Sequence, residues 1–270
     1  MLNFAPLQQF ARLMPAAGRD SASLVSDAFR ISASSRTARR TLLNPSPPDS
    51  MTLLASSFHS FGVVGLLACS LAHAGAQPDL SKITDASVWR VTNRSATPSV
   101  REGRPAVHLD ARDGDGFAWL IGSAFAEGRI DVDLRGANKP GQSFVGIAFR
   151  GVDDTTFDAV YFRPFNFRNP EIPRRARAVQ YISHPQFTWE KLRADSPGQY
   201  EAAVTPVPDP DDWFHARIVV QGRQITVFVN GAATPSLVVT QLSDRRSGLI
   251  GLWAGNGSAG DFAHLEISPR

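Results

Sequence analysis

Residues 143–166, SFVGIAFRGVDDTTFDAVYFRPFN, carry a period of two through two successive runs separated by the acidic turn GVDDTT. In the first run Val145, Ile147 and Phe149 alternate with Gly146, Ala148 and Arg150; in the second, Val160 and Phe162 alternate with Ala159, Tyr161 and Arg163. Strand side chains point alternately to opposite faces, so each run has one bulky apolar face for a core and one face of different character. That second face combines small residues with Tyr161, Arg150 and Arg163. Gly and Ala leave room there, and the tyrosine and arginines are candidate ligand contacts.

The same pattern recurs from residue 77 onward. Strand-like segments at 88–91, 106–109, 117–121 and 129–135 precede the central pair. Segments 178–182, 213–220, 224–230, 237–240, 249–253 and 262–267 follow it, with Asn230-Gly231 as a turn dipeptide. One helix is predicted over 187–194, with Thr188 as its cap and Trp189, Leu192 and Arg193 at helical spacing. About twelve short strands without intervening helices predict an all-β fold, a jelly-roll β-sandwich of two antiparallel sheets with one short helix. Spacing alone does not separate a jelly roll from other β-sandwiches.

The chain has 270 residues and a formal charge of +3. That excess lies in residues 1–76, which hold six Arg against three Asp; from residue 77 onward, 22 Lys and Arg balance 22 Asp and Glu. A neutral domain lacks the electrostatic footprint of a nucleic-acid binder. Residues 1–50, rich in Ser and Arg and without a sustained period, are expected to be a disordered extension. They read either as sequence upstream of a true start at Met51 or as an organelle transit peptide. Residues 51–76 read as an export signal, with an apolar run from Phe61 and the cleavage pattern Ala72-His73-Ala74. Leu66-Leu67-Ala68-Cys69 also resembles a lipoprotein signal, in which Cys69 would carry the anchor. Both readings place the domain over 77–270 outside the cytoplasm, periplasmic or extracellular. The apolar run is shorter than the ~20 residues of a membrane span. Cys69 is the single cysteine, so the domain has no disulfide, Cys nucleophile or Cys-ligated metal.

Candidate chemistry is concentrated in a few places. In the loop QYISHP, His184 is suited to general-base work near neutral pH, and Tyr181 or the following Trp189 to stacking on a sugar ring. The alternative is that Trp189 anchors the helix and His184 caps a turn. Trp253 precedes a loop of small residues that would let a ligand approach the backbone. Arg174, Arg175 and Arg177 suit the carboxylate or sulfate of an acidic glycan, or form a solvated loop. Asp131 and Asp133 share one strand face, where a solvated role is expected over an acid/base pair. The stretch Asp110–Asp113–Asp115 is a turn that could hold calcium but lacks the EF-hand spacing. His108 and His215 are read as structural. No serine-nucleophile elbow, His-Glu-x-x-His motif, P-loop or dinucleotide fingerprint is present.

The final module, WFHARIVV, ITVFVNG, GLIGLW and FAHLEI, resembles the concanavalin A-like lectin/glucanase superfamily. With Gly146-Ile-Ala-Phe-Arg150 and Asp158-Ala-Val-Tyr161-Phe-Arg163, the chain is most similar to the 3-keto-disaccharide hydrolases, over about residues 83–267. The resemblance implies a concave sheet that binds sugar and hydrolysis of glycosidic bonds in oxidised glycosides. The Glu-x-Asp-x-x-Glu strand of glucanases in the same superfamily is not matched, so the usual two-carboxylate machinery is not visible. The expectation is an exported carbohydrate-active protein with His184 and Arg163 as catalytic residues and no required metal. Arg150, Tyr161, Gln180, Tyr181, Trp189 and Trp253 would bind the substrate, the arginines and Gln180 holding hydroxyl or keto oxygens. A non-catalytic lectin-like module is the alternative; oligomeric state is left open.

Overall fold

Alternating strands with one apolar face each can bury those faces only against one another, and here they do so as two sheets. The computed structural model describes residues 75–270; the expected extension and the export signal up to residue 74, Cys69 included, lie outside the described residues. In chain order the strands are β1 (Trp89–Thr92), β2 (Ala96–Arg101), β3 (Arg104–Leu109), β4 (Gly116–Leu120) and β5 (Gly128–Arg135). The central hairpin is β6 (Val145–Gly151) and β7 (Asp158–Phe162), followed by β8 (Val179–Ser183) and β9 (Glu201–Ala202). The last five are β10 (Phe214–Gln221), β11 (Gln224–Val229), β12 (Leu237–Thr240), β13 (Leu249–Ala254) and β14 (Gly260–Pro269). One seven-stranded sheet has the order β1-β4-β13-β6-β7-β8-β9, the other β12-β11-β10-β5-β14-β3-β2. Every pairing within them is antiparallel.

The expected hairpin forms with Gly146 opposite Tyr161 and Ile147 opposite Val160. Val145, Ile147, Phe149, Val160 and Phe162 enter the core between the sheets, against Ile130, Val132, Leu134, Ile218 and Val220 of the other sheet. All ten are fully buried, each a side chain whose removal from water contributes ~1.5–3 kcal/mol. Ala148, Ala159 and Tyr161 face the other way and join a second cluster with Phe117, Trp119, Phe157, Ile182 and Trp253. Gly146 is required at its place. A β-carbon there would lie 2.2 Å from the Val160 carbonyl oxygen and 2.7 Å from the Tyr161 β-carbon.

Two strands beyond the expected set are present, β2 and β9. Pro98 masks β2 in the sequence, but β2 is an edge strand, where a missing N–H is tolerated. Of the helices, α1 (Ile172–Arg175) falls where only a loop was expected. The predicted helix is α2 (Trp189–Asp195), capped as expected by Thr188, whose hydroxyl accepts from the Lys191 N–H at 3.4 Å. Among the described residues no helix is long and apolar enough to cross a membrane.

Asp131 and Asp133 are not a solvated pair. The register of β5 against β10 sets Asp131 opposite Arg217 and Asp133 opposite His215, and the two aspartate side chains are only 8 % and 9 % exposed. The His215 ring bridges them at 3.0 and 2.9 Å, with Arg217 and Arg129 on Asp131 and His264 and Arg104 on Asp133. The hydrogen bonds to Asp131 and Asp133 push the His215 pKa up to about 9. An unfolded histidine titrates near ~6.5, so this stabilisation is complete below that pH and is lost as pH rises through about 9. With the imidazole a third exposed, solvent screening leaves about 1–2 kcal/mol. Melting temperature is therefore expected to fall between pH 6.5 and 9.5, and His215→Gln to lower it at pH 6.5 and flatten that decline.

Candidate functional site

The face of the β6–β7 sheet that points away from the core between the sheets carries Tyr161 and Trp253, while Ala148 and Ala159 are covered there by Phe117, Trp119 and Phe157. α2 and the segments before β4, β6 and after β13 wall this face into a cleft of about 940 Å³. Tyr161, Ile182 and Trp253 form its floor, Trp189, Glu190 and Arg193 one wall, and Phe144, Phe165 and Asn256 another part of its lining. The Tyr161 and Trp253 rings lie 4.9 Å apart at 47°. The two rings are 2 % and 3 % exposed, and the Arg163 guanidinium lies 4.8 Å from the Tyr161 ring, so they present a narrow apolar surface to the cleft. Trp189 is 41 % exposed on α2, with the Arg193 guanidinium 4.8 Å from its ring.

Arg163 closes one end. Its Nη2 donates to the Tyr161 hydroxyl at 2.5 Å and to the Gln180 amide oxygen, and its Nη1 donates to the Arg177 carbonyl at 3.0 Å. Tyr161 in turn donates to Gln180 at 3.2 Å, and burial pushes its pKa up to about 12, so it remains a phenol. Glu201 supplies the charge that keeps this buried corner tolerable. It accepts two bonds from Arg193, at 3.2 and 2.8 Å, and lies 3.6 Å from Arg163 and 3.4 Å from Arg177.

His184 stands at the other end. Its main-chain N–H donates to the Phe157 carbonyl at 2.8 Å, and its ring stacks on Phe157 at 4.8 Å. Arg245 Nη1 donates to the His184 carbonyl at 3.2 Å, while its Nη2 reaches Asp158 and Ser183. Four histidines lie among the described residues. His108 is bound to Asp261, His215 to Asp131 and Asp133, and His264 to Asp133. The hydrogen bonds of His184 to other described residues are made by its main chain, which leaves the ring free for a ligand. Burial lowers its pKa, with Asp115 nearby opposing the shift, so the imidazole is neutral at pH 7. Burial raises the Asp115 carboxyl, opposed by His184. The Asp115 carboxylate thus acts on the imidazole through its charge, favouring the imidazolium that burial disfavours.

The residues expected at the site fall into two groups in the structure. Tyr161, Arg163, His184, Trp189 and Trp253 all line the cleft. Gln180 lies behind them and positions Tyr161 and Arg163. Tyr181 does not reach the cleft: it is buried between the sheets, and its hydroxyl donates to Asp158 at 3.0 Å. Arg150 does not reach it either. Its φ of +50° breaks the alternation, and the buried guanidinium binds the Ala126 and Gly222 carbonyls and the Gln241 side chain. Nor do His184 and Arg163 meet at one atom. They pair with Phe157 and Ala178 at opposite ends of the β7–β8 ladder, with main chains about 20 Å apart at strand rise.

Asp115, expected only as part of a polar turn with a calcium option, lies in that turn and also lines the cleft. The loop does not suit the ion. Its carbonyls already accept from protein donors: Asp113 and Asp115 from Asn93, and Gly114 from Arg94 at 2.9 Å. Arg94 also binds the Ala254 and Gly255 carbonyls at 2.9 Å, so a guanidinium holds the place a cation would need. Among the described residues no group of three or more His, Cys, Asp or Glu is arranged to hold a metal ion.

Residues 81–268 match the family model described as a 3-keto-alpha-glucoside-1,2-lyase-like domain. No curated protein matches the chain. Among solved structures, the carbohydrate-binding module CBM66 from Bacillus subtilis is 13% identical with a TM-score of 0.48, covering 67% of this chain and 95% of that one. A Bacillus licheniformis beta-glucanase is 13% identical with a TM-score of 0.47, covering 73% and 99%. The VIP36 exoplasmic/lumenal domain, in its Ca2+/Man3GlcNAc-bound form, is 12% identical with a TM-score of 0.47, covering 73% and 88%.

Proposed function

Because the chain belongs to the family of 3-keto-alpha-glucoside-1,2-lyase-like domains, we propose that its cleft binds a 3-keto glycoside and cleaves the bond at C1. A ketone at C3 acidifies the C2 proton. Removing that proton gives an enolate, which expels the C1 oxygen and forms a C1–C2 double bond. Addition of water across that bond gives the net hydrolysis. This route needs a neutral base and a returning proton, not the two flanking carboxylates of ordinary glycosidases.

The observation that carries the reading is His184, a neutral imidazole with a free ring in the cleft. In this mechanism His184 takes the C2 proton. The imidazolium so formed is stabilised by the Asp115 carboxylate, and the pair returns the proton to the departing oxygen. Tyr161, Trp253 and Trp189 hold the sugar rings, and Arg163 binds a part of the substrate remote from the reacting carbon, where orientation rather than chemistry is its contribution. With the export signal expected over residues 51–76, we place this activity outside the cytoplasm.

The test is to incubate the purified protein with 3-keto disaccharides and their parent sugars and weigh the products. Elimination and net hydrolysis differ by one water in the mass of the keto fragment, and only a reaction that stops at elimination leaves an enone product absorbing in the ultraviolet. Cleavage of the keto forms alone supports the proposal. Binding without any product instead identifies a lectin-like module.

A further inference from the structure

The arginine end of the cleft carries more positive charge than the mechanism uses. Arg163, Arg174, Arg177 and Arg193 line it, and the carboxylates beside them are Glu171 and Glu201. Both oxygens of Glu201 are committed to Arg193. Arg177 approaches Glu201 through Nε at 3.4 Å, and Arg174 approaches Glu171 through Nε at 3.1 Å. Neither Nη group of Arg174 or of Arg177 donates to a described residue, and the two side chains are 52 % and 40 % exposed. Each therefore presents an unoccupied pair of N–H donors at the rim of a sugar-sized cleft. A planar pair of donors with full positive charge matches an anionic oxo group bidentately.

We propose that this end is a subsite for an anionic group, carboxylate or sulfate, on the sugar distal to the bond being broken. The inference rests on the reading of the cleft as a glycoside site. The distance supports a distal position: Arg177 precedes Ala178, the residue paired with Arg163, and so lies about 20 Å along the ladder from His184. A span of that length exceeds one pyranose. Of the acidic residues lining the cleft, Asp115 and Glu190 are those whose charge acts on His184, while Glu171 stands at the arginine end, where Arg174 faces it through Nε.

The experiment is titration calorimetry on the purified full-length protein with three probes: a neutral disaccharide, its counterpart ending in glucuronate, and a sulfated counterpart. At low salt at least one anionic probe is expected to bind about tenfold tighter than the neutral one, as for a charge-assisted pair. That preference should shrink as salt is raised and vanish in Arg174→Ala/Arg177→Ala, whose exposed side chains leave the core untouched. Which anionic probe gains identifies the group. Equal affinity for all three probes, or a preference that survives the double variant, overturns the subsite while leaving the glycoside reading intact. No binding of any probe, together with no turnover of 3-keto disaccharides, overturns both.

Discussion

Replacing His184 with glutamine is expected to lower turnover of a 3-keto glycoside by about 10²–10⁴-fold, the range for loss of a positioned general base. Affinity for the substrate should change little, because the ring stacks on Phe157 and holds no neighbour in place through its nitrogens. The pH profile gives the sharper check. His184 works as the neutral form, and burial holds its pKa below the ordinary 6.5. Turnover should therefore rise with pH through a midpoint below 6.5 and be level at neutrality. Asp115 raises the His184 pKa, so Asp115→Asn should move that acid limb to lower pH as well as slow the reaction. A glutamine variant that turns over at the wild-type rate, or a limb that stays fixed in Asp115→Asn, would reject the assignment.

How the site could be read from the sequence differs from residue to residue. The alternation of β6 and β7 was sufficient to place Tyr161 and Arg163 on the cleft side, because one set was bulky and the other small. In β8 all five residues are buried, so hydrophobicity does not say which face is which. Period two nevertheless forbids Gln180 and Tyr181 from sharing a face, and expecting both at the ligand contradicted the rule that found the strand. Arg150 failed for a different reason. The register of β6 against β13 slips between Leu249 and Gly251, and with Arg150 in the left-handed region its side chain leaves the expected face.

The ionic pairs were partly legible too. A strand reading Asp-Val-Asp facing one reading His-Ala-Arg is a cross-strand match that pairing alone would have revealed. Asp115 was not legible. Its burial and its nearness to His184 come from β13, α2 and the β8 loop, all distant in sequence, and nothing in the run DGDG distinguishes it from a surface turn.

The largest stability effect is expected away from the cleft floor, at Arg245. Asp158 begins β7 with no exposed surface, and Arg245 Nη2 meets it at 2.8 Å. Ser243 and Tyr181 also donate to it, at 3.0 Å each, but neither carries charge. Arg245→Met removes the cation in direct contact and leaves a buried carboxylate with only the more distant Arg150 for charge, which costs about 3–5 kcal/mol. Asp158→Asn removes the charge instead and keeps an acceptor for Ser243 and Tyr181. Adding it to Arg245→Met should recover part of the loss, so the double variant is expected to be more stable than the sum of the single effects, as urea denaturation of all four proteins would measure. Additive losses would mean that the pair is not coupled. The same guanidinium holds the His184 carbonyl and the Ser183 hydroxyl. The double variant should therefore regain stability without regaining turnover, because its methionine offers no donor to fix the loop that aims the imidazole. Recovery of both would mean that Arg245 serves the fold alone and that the position of His184 is set by its stacking on Phe157.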